Sequence, residues 1–189
     1  EVWGRYFNDI PLAAIVSSDL TRARESAAII AAQRDIPLKV KVKAGLREIS
    51  LGSWENMAFG ELQERAQGEF IKRGAAIETH RPPGGESFLD LQQRAVSTFY
   101  SIMAETAGST DDGLSGGARD AGNLLIVAHA GLNRVLLCHI LGMPVANLFR
   151  LGQDYACLNT FVREKEAFRV LGINQTLLNF LRSPLSAHP

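Results

Sequence analysis

The stretch LLIVAHAGLNR, residues 124–134, contains the two patterns that decide the fold. Leu124 to Ala128 are five consecutive small or branched apolar residues, which is typical of a strand buried on both faces. His129 and a turn of small residues follow, and a helical pattern then begins, with side chains at spacings of three and four: Leu132, Val135, Leu136, His139 and Ile140. We therefore predict that His129 lies between the carboxyl end of a parallel strand and the amino end of a helix.

A histidine at such a junction is a candidate functional residue. In open α/β sheets, ligands bind beyond the carboxyl ends of the strands, and the exposed N–H groups of a following helix favour an anion, typically phosphate. An imidazole there can donate hydrogen bonds to a phosphoryl group, or act as an acid or base. The alternative is that His129 only caps the helix or fills a gap, and the junction alone does not distinguish these interpretations.

A second junction of the same design occurs earlier in the chain. Leu12 to Val16 is a short apolar strand, Ser17 to Asp19 offers three side chains suited to capping, and a helix is predicted over Leu20 to Gln33. Arg22 lies in the first turn of that helix, where a basic residue opposes the helix dipole unless an anion is nearby. Arg22 is therefore a candidate phosphate ligand, the alternative being a solvated surface arginine.

A candidate acid lies in the segment Leu46 to Glu55, whose glycine and tryptophan predict a structured loop. Burial beside a phosphate anion would raise the pKa of the Glu48 carboxyl towards working pH, which suits a proton donor. The alternative for Glu48 is an exposed salt-bridge partner. Trp54 is predicted to belong to the core or to a pocket wall.

The other segments complete a pattern of alternating strands and helices. We predict a strand over 36–42, helices over 1–7, 59–74 and from Glu86 or Ser87 to 105, a surface loop over 107–123, a short helix over 144–149, and paired strands over 157–164 and 167–173. His80 lies beside prolines and is either a pocket residue or incidental.

Composition bounds the class of protein. The chain has 189 residues, about the size of one domain, with 20 basic and 20 acidic residues, so neither a nucleic-acid partner nor a membrane partner is expected. Its two cysteines, Cys138 and Cys157, form no Cys-x-x-Cys pair, and no apolar run approaches the length of a membrane span. These features predict a cytoplasmic globular domain without a disulfide framework.

Taken together, four motifs resemble the histidine phosphatase (phosphoglycerate mutase-like) superfamily. They are SSDLTRA at 17–23, LRE at 46–48 followed by GSWE at 52–55, PGGES at 83–87, and VAHAG at 127–131 with Arg134. The resemblance implies an α/β fold, a three-layer α/β/α sandwich with a mostly parallel central sheet, and phosphoryl transfer through a phosphohistidine. It implies a small phosphorylated metabolite as substrate, with no metal and no cofactor.

The resemblance also implies roles for particular residues. His129 matches the family's second histidine and Arg22 its second arginine, both of which hold phosphoryl oxygens. Glu48 matches the acid that protonates the leaving alcohol, and the backbone N–H of Ala130 is expected to face the phosphate. Positive donors around the phosphoryl oxygens and a proton for the leaving group are what this chemistry requires of a protein.

One departure from the family pattern concerns the nucleophile. The family's attacking histidine lies in an amino-terminal Arg-His-Gly motif, and no such motif occurs among the 189 residues. Because the chain also begins at Glu1, within a predicted helix that has no cap, we expect an absent segment to carry the first strand and this motif. The alternative is a non-catalytic phosphate-binding module.

The resemblance does not choose between phosphatase and mutase. The segments Gln153 to Tyr155 and Leu158-Asn159 are similar to the α-ribazole phosphatase branch of cobalamin synthesis. An α-ribazole 5'-phosphate phosphatase is therefore predicted first, with a broad-specificity phosphatase and a phosphoglycerate mutase as alternatives. The oligomeric state is left open, a homodimer being one alternative.

Overall fold

A three-stranded parallel sheet contains the strands that precede both predicted junctions. In the computed structural model, which describes residues 2–36, 38–108, 122–165 and 167–176, the chain forms two compact units. Residues 1–47 and 94–129 make the first unit, and residues 48–93 and 130–189 the second. The sheet belongs to the first unit, with β1 (Leu12–Ser17) between β2 (Val40–Val42) and β3 (Asn123–Val127).

The register of the sheet brings the carboxyl ends of its strands together. Both strand pairs are parallel, with Ile15 opposite Val40 on one side and Leu125 on the other. Helix α1 spans Val2–Asn8, and helix α2, Thr21–Ala32, contacts all three strands. Because α2 buries only small side chains, Ala23 and Ala27, its backbone can lie close to the sheet.

The described part of the second unit consists of helices and one antiparallel strand pair. Helices α3 (Phe59–Arg65) and α4 (Gln67–Ala75) come first, followed by the beginning of α5 (Phe88–Gly108), then α6 (Ala130–Leu141), and finally β4 (Leu158–Glu164) paired with β5 (Ala167–Gln175). One helix was expected over 59–74, but Ala66, at φ −129° and ψ 29°, separates α3 from α4. Short 3-10 turns occupy Gly52–Trp54 and Val145–Arg150.

Each unit has an apolar core drawn from its own elements. In the first unit the buried apolar side chains are Phe7, Ala14, Ile15, Val16, Ala23, Ala27, Leu46, Ala95, Phe99, Ile102 and Leu125. In the second they are Trp54, Leu62, Phe88, Leu91, Leu132, Val135, Leu136, Leu137, Cys138, Val145 and Leu148. The predicted burial of Trp54 is confirmed.

The predicted order of strands and helices agrees with the structure, and the α/β fold with a parallel sheet is confirmed. The strand predicted over 36–42 is shorter than expected, since only Val40–Val42 pair with β1. Most of the surface loop predicted over 107–123 lies outside the described residues. None of the described helices is long and apolar enough to span a membrane.

Two of the sequence motifs, GSWE and PGGES, lie side by side within the second unit. Two backbone hydrogen bonds join the two segments, from Ser53 N–H to the Pro83 oxygen (2.9 Å) and from Glu86 N–H to the oxygen of Ser50, which precedes GSWE (2.8 Å). The Ser50 N–H in turn donates to the Glu86 carboxylate (2.9 Å). Gly52 has φ +56°, and a Cβ there would lie 2.2 Å from the Pro83 oxygen. Only glycine fits both the conformation and the space.

We expect Gly52→Ala to destabilise the protein clearly more than Gly84→Ala does. Both glycines have positive φ, so each substitution costs about 1–2 kcal/mol of backbone strain. Gly84 faces open space, whereas the added methyl at Gly52 meets backbone atoms and costs a further 1–3 kcal/mol or so. The free energy of unfolding in urea measures the difference, and equal effects of the two substitutions would contradict this account of the contact.

Candidate active site

Two of the predicted site residues contact each other in the first unit. His129 follows β3 by two residues and is only 7% exposed, and Arg22 is the second residue of α2. The Arg22 Nε–H donates a hydrogen bond to Nδ1 of His129 at 3.2 Å. The two side chains are 107 positions apart in the sequence, and they meet because β1 and β3 are neighbours whose carboxyl ends lie at one edge of the sheet.

This contact determines what the two groups can offer a ligand. Because Nδ1 of His129 accepts a hydrogen bond, a neutral ring carries its proton on Nε2, which makes Nε2 the donor atom. The Arg22 side chain is exposed, and its Nη groups have no hydrogen-bond partner among the residues that the structure describes. A guanidinium with two available Nη groups is well suited to a phosphoryl group, which presents several oxygens.

Ser17, the last residue of β1, and Ser18, which follows it, have a different role from the one predicted. Ser17 to Asp19 were expected to cap α2, but the N-cap position is Leu20. Ser18 Oγ accepts a hydrogen bond from the Leu20 N–H at 3.2 Å, and the buried Ser17 hydroxyl donates to the Ser18 oxygen at 2.9 Å. These hydroxyls therefore shape the turn between β1 and α2, upstream of Arg22.

Asp19, the third residue of that motif, pairs with an arginine from another motif. Arg47 donates to both Asp19 oxygens, at 2.8 Å and 3.0 Å from Nε and 2.6 Å from Nη2. The hydrogen bond from Arg47 holds the pKa of the Asp19 carboxyl below its usual value. Arg94 Nη1 in turn donates to the backbone oxygens of Gly45 and Arg47, at 2.9 Å and 3.0 Å. The backbone just before Glu48 is thus held at two points, although an exposed ion pair contributes little stability.

Glu48 itself caps the amino end of α6 in the second unit. Its Oε2 accepts from the Gly131 N–H at 2.9 Å, and its Oε1 accepts from the N–H groups of Leu132 at 3.1 Å and Ile49 at 3.0 Å. The side chain is half-buried. The anion at this helix terminus is thus a carboxylate of the chain itself, which interacts favourably with the helix dipole.

Gly131, the glycine of the VAHAG motif, is required at its position for a steric reason. A Cβ at Gly131 would lie 2.4 Å from Oε1 of Glu48 and 3.1 Å from its Cδ. The Glu48 carboxylate therefore approaches α6 closely only because residue 131 has no side chain. The Ala130 N–H is not among the groups that Glu48 binds, and its predicted role towards phosphate stays a prediction.

The segment 153–159 of the second unit is held by side-chain hydrogen bonds. Gln153 and Asn159 exchange two side-chain hydrogen bonds, at 2.8 Å and 2.9 Å. Asn174 donates its backbone N–H to the Asn159 oxygen at 2.9 Å and exchanges two further hydrogen bonds with Asp154. Tyr155, at the tip of the loop, is fully exposed.

Both cysteine thiols are free, and burial raises the pKa of Cys138 and of Cys157, so neither favours a thiolate nucleophile. Within the described ranges, no group of three His, Cys, Asp or Glu side chains is placed to hold a metal ion.

Comparisons with known proteins agree with the family resemblance of the four sequence motifs. The profile of the histidine phosphatase superfamily, branch 1, matches residues 1–176. A glucosyl-3-phosphoglycerate phosphatase of Mycolicibacterium vanbaalenii is 34% identical over 140 residues, 73% of this chain and 57% of the relative. An adenosylcobalamin/alpha-ribazole phosphatase of Salmonella typhimurium is 28% identical over 147 residues, 78% of this chain and 65% of that relative. The chain spans about three fifths of the length of these two curated relatives.

Solved structures show the same fold. The mycobacterial glucosyl-3-phosphoglycerate phosphatase with VO3 superposes with a TM-score of 0.76 at 26% identity, covering 93% of this chain and 82% of that one. The alpha-ribazole phosphatase of Shigella flexneri gives the same TM-score of 0.76 at 21% identity, with 91% and 78% covered. The second likeness, at this low identity, concerns the fold alone.

Proposed function

The chain belongs to branch 1 of the histidine phosphatase superfamily, and we propose that the protein is a phosphomonoesterase acting through a phosphohistidine intermediate. Its substrate in this proposal is a small phosphorylated metabolite. Named phosphatases among the relatives support a hydrolase over a mutase. Because fold and family motifs are shared by both activities, the choice depends on the site and on experiment.

The observation that carries the proposal is the contact between Arg22 and His129. In the proposed mechanism the Arg22 Nη groups and the His129 Nε2–H donate hydrogen bonds to the phosphoryl oxygens of the substrate. The Arg22 Nε–H, bound to Nδ1, orients the imidazole for that task. Donors fixed around the phosphoryl group stabilise the charge that spreads over its oxygens in the transition state.

Glu48 is proposed as the acid that protonates the leaving alcohol, and the Ala130 N–H as a further phosphate donor. Support for Glu48 comes from the family motif and from its fixed position, since three backbone N–H groups hold the carboxylate. A general acid must lie within hydrogen-bond reach of the leaving oxygen, so a held carboxylate is better suited than a mobile surface one.

The nucleophile is proposed to come from residues outside this sequence. None of the four histidines, His80, His129, His139 and His188, lies in an Arg-His-Gly motif. The phosphohistidine mechanism therefore depends on an amino-terminal segment that supplies the attacking histidine and the first arginine. Without it, Arg22 and His129 would bind phosphoesters without turnover, which is the alternative proposal of a phosphate-binding module.

The comparisons suggest two substrates that should be tested first. The Salmonella relative and the sequence similarity of the segment around Gln153 and Asn159 support α-ribazole 5'-phosphate. The Mycolicibacterium relative, with the higher identity of 34%, supports glucosyl-3-phosphoglycerate. A broad-specificity phosphatase would hydrolyse both, together with unrelated aryl phosphates.

The deciding experiment uses the protein encoded by the complete reading frame. Release of inorganic phosphate is measured from α-ribazole 5'-phosphate, glucosyl-3-phosphoglycerate and p-nitrophenyl phosphate, and acid-labile labelling of the protein by 32P is tested in a rapid quench. Turnover with an acid-labile phosphoprotein supports the enzyme. Calorimetric binding of the same esters without release of phosphate would instead support the binding module, and absence of both would contradict the two proposals together.

A further inference from the structure

In the second unit a guanidinium lies between two aromatic rings. It belongs to a set of four side chains that we call the Arg73 cluster: Trp54, Arg73, His80 and Phe88. The guanidinium carbon of Arg73, on α4, is 5.8 Å from the Trp54 ring centroid and 5.2 Å from that of Phe88. Trp54 and Phe88 are buried, at 5% and 4% exposure. Both distances are within the range of cation–π contact, so the guanidinium is held in place by the two rings.

Arg73 is half-buried and has no matching anion among the described residues. Its Nη1 is buried and has no hydrogen-bond partner, and no carboxylate of the described residues forms an ion pair with the guanidinium. Burial alone lowers the pKa of Arg73, with no acidic neighbour acting against it. Glu69, one turn earlier on the same helix, is instead paired with Lys72 at 2.7 Å. A partly desolvated guanidinium without a counter-ion is a place where a ligand can supply the opposite charge.

A second donor lies beside the first. The His80 ring stacks on Trp54, with ring centroids 6.0 Å apart and an interplanar angle of 26°, and its side chain is only 12% exposed. Its Nε2 is buried without a hydrogen-bond partner and is 3.6 Å from Oε2 of Glu69. Arg73 and His80 thus contact the same tryptophan, and each has a buried nitrogen that makes no hydrogen bond in the structure.

We propose that the Arg73 cluster is a binding site for the carboxylate of a small organic anion, held by Arg73 and His80 beside the rings of Trp54 and Phe88. A carboxylate matches a planar guanidinium with two parallel hydrogen bonds, and the apolar walls exclude the water that would otherwise compete. If the proposed phosphatase function holds, the ligand is a part of the substrate, and the preferred phosphoesters carry a carboxylate as a second anionic group.

A purely structural role makes a different prediction. If Arg73 only packs α4 against the core through cation–π contacts, added anions should not bind to it. Its replacement would then lower the stability of the protein without changing the choice of substrate. Ligand binding and substrate discrimination therefore separate the two interpretations, whereas thermal stability alone does not.

Binding can be measured without catalysis through Trp54, because Trp3 is the only other tryptophan among the 189 residues. In the full-length protein, with Trp3 and any tryptophan outside these residues replaced by phenylalanine, Trp54 emission is followed during titration with D-glycerate, with glycerol as the neutral control at constant ionic strength. We expect a saturable change with glycerate only. Arg73→Gln should weaken this response by about 10- to 100-fold, since a charge-assisted hydrogen bond is lost, and Arg73→Lys should weaken it less.

Matched variants complete the binding test. Arg65→Gln removes an exposed arginine from neighbouring α3, and it should leave the glycerate response unchanged. Arg22→Ala should also leave it unchanged, which shows that glycerate is not reporting the Arg22–His129 pair. No saturable response in the parent protein, or an undiminished response in a folded Arg73→Gln variant, would overturn the proposal.

Kinetics then connect the cluster to the substrate. The substrates 3-phosphoglycerate and glycerol 3-phosphate differ in a carboxylate against a hydroxymethyl group. Arg73→Gln should lower the ratio of their kcat/KM values by at least about tenfold, mainly through the first substrate. An unchanged ratio would remove the cluster from substrate recognition. If neither ester is hydrolysed, the phosphatase proposal fails for this class of substrate, and the glycerate titration still decides whether the site exists.

Discussion

Replacing His129 with alanine should lower kcat/KM for phosphomonoester hydrolysis by about 100- to 1,000-fold in the full-length protein. The expected size is that of losing one preorganised hydrogen-bond donor to a developing oxyanion. Arg22 is affected as well, because its Nε–H loses the acceptor that orients the side chain. Initial rates with p-nitrophenyl phosphate measure the loss, and circular dichroism shows whether the variant is folded.

His129→Asn separates the two effects. The asparagine oxygen can take the place of Nδ1 and accept the Arg22 hydrogen bond, but nothing then replaces the Nε2–H. If the imidazole acts as a donor to phosphate, His129→Asn should be nearly as impaired as His129→Ala. Recovery of most of the activity in His129→Asn would mean that His129 only positions Arg22. Parent-like turnover in a folded His129→Ala variant would exclude His129 from the mechanism.

Replacing Glu48 with glutamine should slow the hydrolysis of alkyl phosphates by about 100-fold or more, and that of p-nitrophenyl phosphate by less than about tenfold. General acid catalysis contributes roughly this much when the leaving alkoxide is basic, and little when the leaving group is a stable phenolate. Rates of chemistry for the two esters, measured under single-turnover conditions, give the ratio directly.

The comparison of two esters also removes a structural complication. Both carboxylate oxygens of Glu48 accept hydrogen bonds from backbone N–H groups, so the amide of glutamine leaves one helix donor without its acceptor. Any resulting shift of α6 should affect both esters alike, whereas a lost proton donor affects only the poor leaving group. Equal losses for the two esters would therefore argue that Glu48 is a cap and not an acid.

Much of the fold was predictable because its signals are local. The apolar run before His129 and the spacing of Leu132, Val135 and Leu136 required only periodicity, and β3 and α6 lie where it placed them. Arg22 was a candidate because of its place in the first turn of α2, and the structure brings it to His129. Their catalytic roles remain predictions, which rest on the family resemblance and not on periodicity.

The contacts that the sequence could not predict join residues far apart in the chain. Glu48 caps a helix 83 positions away, and Asp19 pairs with Arg47 across 28 positions, distances over which no periodic pattern extends. Ser17 to Asp19 looked like helix caps, but β1 continues to Ser17 and moves the N-cap to Leu20. The position of Arg73 between two rings had no sequence signal, since a single arginine on a charged helix usually faces solvent.

Because Glu48 approaches Gly131 closely, we expect the residues at these two positions to covary among homologous sequences. A Cβ at residue 131 would lie 2.4 Å from the Glu48 carboxylate, so residue 131 cannot gain a side chain while Glu48 keeps this position. Among homologous sequences, a side chain at position 131 should occur together with a shorter carboxylate, aspartate, at position 48. Such covariation would preserve a cap on α6 with one methylene fewer, and a double-mutant cycle of the two substitutions should show positive coupling.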